Sequence, residues 1–119
     1  MKLNKLLILI ILPLFFLSSC SQPNVIKAKA GETFVLTLES NPTTGYSWQL
    51  ARPLDEKIVR LEGSKYLPEA TDRVGAGGEE QWTFLAVKKG SAAIALKYVR
   101  PWEKDQPPAE EKTFLIKVR

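Results

Sequence analysis

The chain contains no histidine and only one cysteine, Cys20. Without histidine neither a Ser-His nor a Cys-His nucleophilic pair can be assembled, and no ordinary zinc site can be built. With a single cysteine no intramolecular disulfide can form, so the fold must stand on its core alone. Long hydrophobic runs are scarce too. The longest, Leu6 to Leu17, is shorter than the roughly 20 residues a spanning helix needs, and Pro13 interrupts it. Charge of one sign is also lacking: once Lys2 and Lys5 are set aside, 15 of the 17 Lys and Arg remain against 13 Asp and Glu, intermingled along the chain. That balance leaves no electrostatic footprint for nucleic acid. The adjacent carboxylates Glu79-Glu80 and Glu110-Glu111 do not make an acid-base pair, because neighbours on a strand point to opposite faces; they read as solvated edge charges. Neither a metal nor a cofactor is expected, and the chain does not read as an enzyme.

What is present begins with an export signal over residues 1–19, with Lys2 and Lys5 ahead of the apolar run. Its end, Leu17-Ser18-Ser19-Cys20, resembles the lipobox of bacterial lipoproteins. The resemblance implies cleavage before Cys20 and lipidation of that residue, with Ser21 in the following position resembling the outer-membrane pattern. Ordinary signal cleavage leaving a free thiol is the alternative. Residues 20–24 then form a lipidated tether and 25–119 one domain, which at this length can bury a core without staples. The expected location is the bacterial cell envelope, with the membrane contacted through the N-terminal lipid.

From Val25 onward apolar and polar residues alternate with period two. Strands are predicted over Val25–Lys29, Glu32–Glu39 and from Tyr46 to Leu50, and more weakly over Ile58–Leu61 and Lys65–Leu67 on either side of Glu62-Gly63-Ser64. Three more are predicted over Gln81–Lys88, Ser91–Val99 and Lys112–Val118, with Lys89-Gly90 as a tight hairpin turn. Trp48 and Trp82 alternate with other inward residues and belong to the core. The pattern predicts an all-β, immunoglobulin-like antiparallel β-sandwich without a disulfide.

Three turn-forming segments interrupt the alternation: loop 1, Asn41-Pro42-Thr43-Thr44-Gly45-Tyr46; loop 2, Gly75-Ala76-Gly77-Gly78; and loop 3, Arg100-Pro101-Trp102. Every second connection of an antiparallel sandwich emerges at the same end, so the three can form one composite surface. Pro42 stiffens loop 1 and holds Asn41 extended, while Gly45 is free to take a positive φ. Taken singly, each has a plainer reading: a strand-to-strand turn, a flexible connection, and a Trp folded over the core edge with Arg100 stacked on it. Loop 2 lacks the Gly-Lys-Ser or Gly-Lys-Thr of a phosphate cradle.

In order and spacing the three segments resemble the chagasin family of cysteine-peptidase inhibitors, whose loops read Asn-Pro-Thr-Thr-Gly-aromatic, Gly-X-Gly-Gly and Arg-Pro-Trp. The resemblance spans about Val25 to Val118. It implies a monomeric inhibitor of papain-like (clan CA) cysteine peptidases. Asn41 to Gly45 would enter the catalytic cleft, with Thr43 and Thr44 supplying polar contacts, and loops 2 and 3 would grip its flanks. The competing expectation is a lipid-anchored sandwich for adhesion or envelope assembly, contacting a protein or glycan through the same loops.

Overall fold

The computed structural model describes residues 24–70 and 75–119. The export signal, Cys20 and its tether lie outside the described residues. Seven strands follow in chain order: β1 (Asn24–Ala28), β2 (Thr33–Ser40), β3 (Ser47–Leu50), β4 (Val59–Pro68), β5 (Gly78–Ala86), β6 (Gly90–Val99) and β7 (Glu110–Val118). They form a sandwich of two sheets, a four-stranded one ordered β1-β7-β6-β3 and a three-stranded one ordered β2-β5-β4. Alternation sets which face is inside: Leu36 and Leu38 of β2, Trp82 and Phe84 of β5, Ile94 and Leu96 of β6, and Phe114 and Ile116 of β7 are all buried. Trp48 and Trp82 are core residues, 3% and 7% exposed.

Three features differ from the local sequence reading. The weak strands predicted on either side of Glu62-Gly63-Ser64 are one strand, β4, paired with β5 throughout and shifted in register between Leu61 and Gly63. A bulge absorbs the extra residue, so the apolar alternation breaks while the strand does not. Lys89-Gly90 is not a hairpin turn, because β5 and β6 lie in different sheets. β5 is already paired on both sides by β2 and β4, and β6 by β3 and β7, so neither offers a free edge to the other. The chain instead crosses over the end of the sandwich, where Gly90 at φ 152° leaves room for the Ile58 side chain. Finally, all pairings but one are antiparallel: β1 runs parallel to β7, with Asn24 opposite Phe114 and Ala28 opposite Val118.

The β2–β3, β4–β5 and β6–β7 connections emerge at one pole. They carry loops 1, 2 and 3 respectively.

Candidate functional site: three interlocked loops

Loop 1 crosses from one sheet to the other in a single 3-10 turn, Pro42–Thr44. Proline occupies the first turn of this helix, where its missing N–H costs nothing and its fixed φ suits the helix. Asn41 is extended at φ −131° and ψ 90°, as the residue before a proline should be. Its side-chain oxygen accepts from the Thr43 N–H at 3.2 Å and from the Thr43 hydroxyl, while the Thr44 hydroxyl donates to the Asn41 carbonyl at 2.6 Å. Both threonine hydroxyl protons are thus used inside the loop, which braces it; outward, these oxygens have only acceptor capacity to offer. Gly45 closes the turn in the left-handed region at φ 84°, its N–H donating to the Pro42 carbonyl at 3.0 Å.

Loops 2 and 3 are fastened to this turn from opposite sides. Asn41 Nδ2 donates to the Gly75 carbonyl at 3.1 Å. A side chain at Gly77 would place its Cβ 3.2 Å from the Ser40 carbonyl, so glycine allows the two backbones to lie together. Residues 71–74, ahead of loop 2, lie outside the description. On the other flank Arg100 begins a turn closed by the Glu103 N–H to the Arg100 carbonyl at 3.0 Å, with Pro101 in its second position. Arg100 Nε donates to the Thr44 carbonyl at 3.0 Å, its guanidinium lies 4.5 Å from the centre of the Tyr46 ring, and Nη1 pairs with Glu103 at 3.2 Å. Arg100 therefore stacks on Tyr46, not on Trp102, and its side chain clips loop 3 to loop 1.

Tyr46, half-buried, continues a stack into the core: its ring lies 5.2 Å from Tyr98, and Tyr98 lies 4.9 Å from Trp48. Such ring pairs each add about 0.5–1.5 kcal/mol beyond their buried area. Tyr98 also accepts from the Asn41 N–H at 2.8 Å through its hydroxyl, so one side chain of β6 anchors both ends of loop 1.

The outermost groups are Pro42, Thr43, Thr44, Gly75, Pro101 and Trp102, all exposed. Trp102 is 66% exposed, and its ring edge rests over Gly45. A rigid ridge with an uncovered tryptophan at its side is chemically equipped to fill a cleft and bury an aromatic. An open groove of about 650 Å³ runs below loops 1 and 2, with Glu39, Glu69, Glu79 and Glu110 among its lining residues. Among the described residues no group of three or more Asp, Glu, Cys or His could hold a metal ion.

One residue at the loop pole differs from the sequence expectation. Glu80 is not a solvated edge charge: it is half-buried, and its carboxylate accepts from the Ser40 hydroxyl at 2.6 Å, the Trp48 N–H at 3.3 Å and the Trp82 indole at 3.3 Å. The signal was present, since Glu80 stands at the head of the inward row Trp82, Phe84, Ala86. Its neighbour Glu79 is exposed, as are Glu110 and Glu111.

A disulfide-free sandwich bearing this trio of loops defines a class of protein. Residues 27–118 match the family model for the chagasin family of peptidase inhibitors, I42, and the chain belongs to that family. It is similar to chagasin of Trypanosoma cruzi, 33% identical over 91 residues that cover 73% of this chain and 82% of that protein. Among solved structures, the cysteine protease inhibitor EhICP2 of Entamoeba histolytica superposes with a TM-score of 0.72 at 24% identity, over 82% of this chain and 87% of that one. PbICP-C, solved in complex with falcipain-2, has the same fold, with a TM-score of 0.54 at 19% identity over 82% and 88% of the two chains.

Proposed function

We propose that this chain is a reversible, tight-binding inhibitor of papain-like cysteine peptidases, acting as a monomer that plugs the catalytic cleft with loop 1 while loops 2 and 3 hold the rims. The observation that carries this reading is the interlocking of three family-type loops at one pole. It is consistent with a relative whose solved complex contains falcipain-2. A braced 3-10 turn would resist cleavage because it cannot present a peptide carbonyl to the thiolate at the roughly 3–3.5 Å aligned approach that attack needs. Bracing also reduces the conformational freedom lost on docking. An interface of roughly 800 Å² per partner can then reach nanomolar affinity, about −12 kcal/mol. Titration of residues 21–119 against active papain should give stoichiometric loss of peptidase activity. No inhibition across several papain-like enzymes would instead favour an adhesion or envelope-assembly module.

We further propose that lipidated Cys20 holds the inhibitor at the bacterial cell envelope, several acyl chains together giving durable anchorage at about 0.8 kcal/mol per buried methylene. The path of β1 bears on how. β1 runs parallel to β7, which leads away from the loop pole, so the chain enters β1 from the side of the loops. Asn24 lies opposite Phe114, four residues beyond the start of β7 at Glu110. An extended stretch from Asn24 back to Cys20 spans at most ~14 Å, about the same length of strand. An anchored molecule thus needs its tether to bend aside for a peptidase to reach the loops. Lipidated protein reconstituted in vesicles is expected to inhibit papain as well as residues 21–119 do. Loss of inhibition on the vesicle would show that the membrane covers the loops.

A further inference from the structure

Loop 1 has an unusual base. Its two stems, Ser40 at the end of β2 and Trp48 in β3, belong to different sheets, and no backbone ladder joins β2 to β3. In a hairpin the ladder below a turn fixes its base; here side chains must do so. The Trp48 indole donates to the Glu39 carbonyl at 2.8 Å, tying β3 to β2. The Tyr98 hydroxyl receives the Asn41 N–H from above β6. The carboxylate of Glu80 makes a further connection, from a third strand: one oxygen accepts from both stems at once, from the Ser40 hydroxyl and the Trp48 N–H. The other oxygen accepts from the Trp82 indole, which holds the carboxylate in place. Glu80 also lies two residues beyond Gly78, where loop 2 enters β5.

We propose that Glu80 is a positioning residue for inhibition: its carboxylate sets the separation of the two stems of loop 1 and the register of loop 2 beside them, without being part of the exposed ridge itself. This inference rests on the proposed inhibitory function. The chemistry favours a carboxylate here. All three partners present hydrogens to it, and an ionised carboxylate offers acceptor sites alone. Glutamine has the same size, but one arm becomes NH2; whichever way it turns, either the Trp48 N–H or the Trp82 indole N–H then faces a donor. Either the stems lose their common acceptor or that acceptor loses the indole that holds it in place, and in both cases loop 1 samples other separations. Only a fraction of molecules then carry the docking conformation, and apparent affinity falls by that fraction.

The test separates positioning from contact. Glu80→Gln and, as a smaller perturbation, Ser40→Ala are introduced into the full chain, and association and dissociation rates with papain are measured alongside thermal melting. Glu80→Gln is expected to slow association roughly tenfold with dissociation unchanged, because the docked contacts are intact once made. Ser40→Ala is expected to act in the same direction by about threefold, and it carries the test if the glutamine variant does not fold. Rates equal to those of the unsubstituted chain, with only the melting temperature lowered, would overturn the inference and leave Glu80 a structural strut. Faster dissociation with unchanged association would overturn it too, making Glu80 a contact residue. Failure of the unsubstituted chain to inhibit would count against the proposed function itself.

Discussion

Gly45→Ala is expected to weaken inhibition of papain about a hundredfold while leaving the sandwich folded. Two penalties combine at this position. Gly45 holds φ 84° and ψ −5°, a left-handed conformation that costs an L-residue roughly 1–2 kcal/mol. An alanine Cβ would also overlap the Trp102 ring, with Cζ2 only 3.0 Å away, so the ring must swing off the turn. The first penalty loosens the turn closed by the Gly45 N–H and the Pro42 carbonyl; the second displaces the exposed aromatic of loop 3. Together they amount to about 2–3 kcal/mol, or roughly 30- to 150-fold in affinity. Both penalties also fall on the free folded chain where the loop does not relax, so thermal melting should drop by several degrees while the untouched core keeps the sandwich folded. A double-mutant cycle isolates the ring contact: in a Trp102→Ala background the clash is gone, and Gly45→Ala should then cost less than it does alone. Strictly additive losses would show that Trp102 and Gly45 act independently.

The architecture was legible because its signals are local. Alternation in Thr33–Ser40 and Gly90–Val99 marks strands with one buried face, and Pro42, Gly45 and Pro101 mark turns whatever lies around them. That three segments at every second connection share a pole follows from strand direction alone. What could not be read was pairing between distant strands. Lys89-Gly90 looks like a hairpin because its flanks alternate correctly, yet both flanking strands have better partners elsewhere. The parallel seat of β1 on β7 joins residues about 90 positions apart and leaves no local trace. β4 appeared broken because its bulge shifts the period.

At the site the residue types were legible but their division of labour was not. Arg100, Thr43, Thr44 and Tyr46 stand in a motif that suggests contact with a partner. In the structure their groups are turned inward, the two threonine hydroxyls onto Asn41 and the Arg100 guanidinium onto Thr44 and Tyr46. Such internal use depends on side-chain direction, which composition does not report. Glu80 is the clearest case. Adjacent acidic residues suggest solvent, but on a strand one of any two neighbours must face inward, and here that one found three donors.

Trp102→Ala is expected to raise the inhibition constant for papain by about thirtyfold, mainly through faster dissociation. Most of the site is occupied in bracing itself, so few large side chains remain to bury against a partner. Trp102 is the largest: it is 66% exposed, more than any other large hydrophobic residue described, and it sits beside the exposed tip of loop 1. Exposed Trp residues that become enclosed in an interface commonly contribute 2 kcal/mol or more, and losses of that kind are expressed as shorter residence times. The truncation leaves the Arg100 clip to Thr44 and Tyr46 in place, so loop 1 should keep its shape and association should change little. This is the reverse of the signature expected for Glu80→Gln, and measuring both variants on one peptidase distinguishes a residue that grips from one that aims. Unchanged residence time for Trp102→Ala would remove Trp102 from the interface and leave loops 1 and 2 to supply the binding energy.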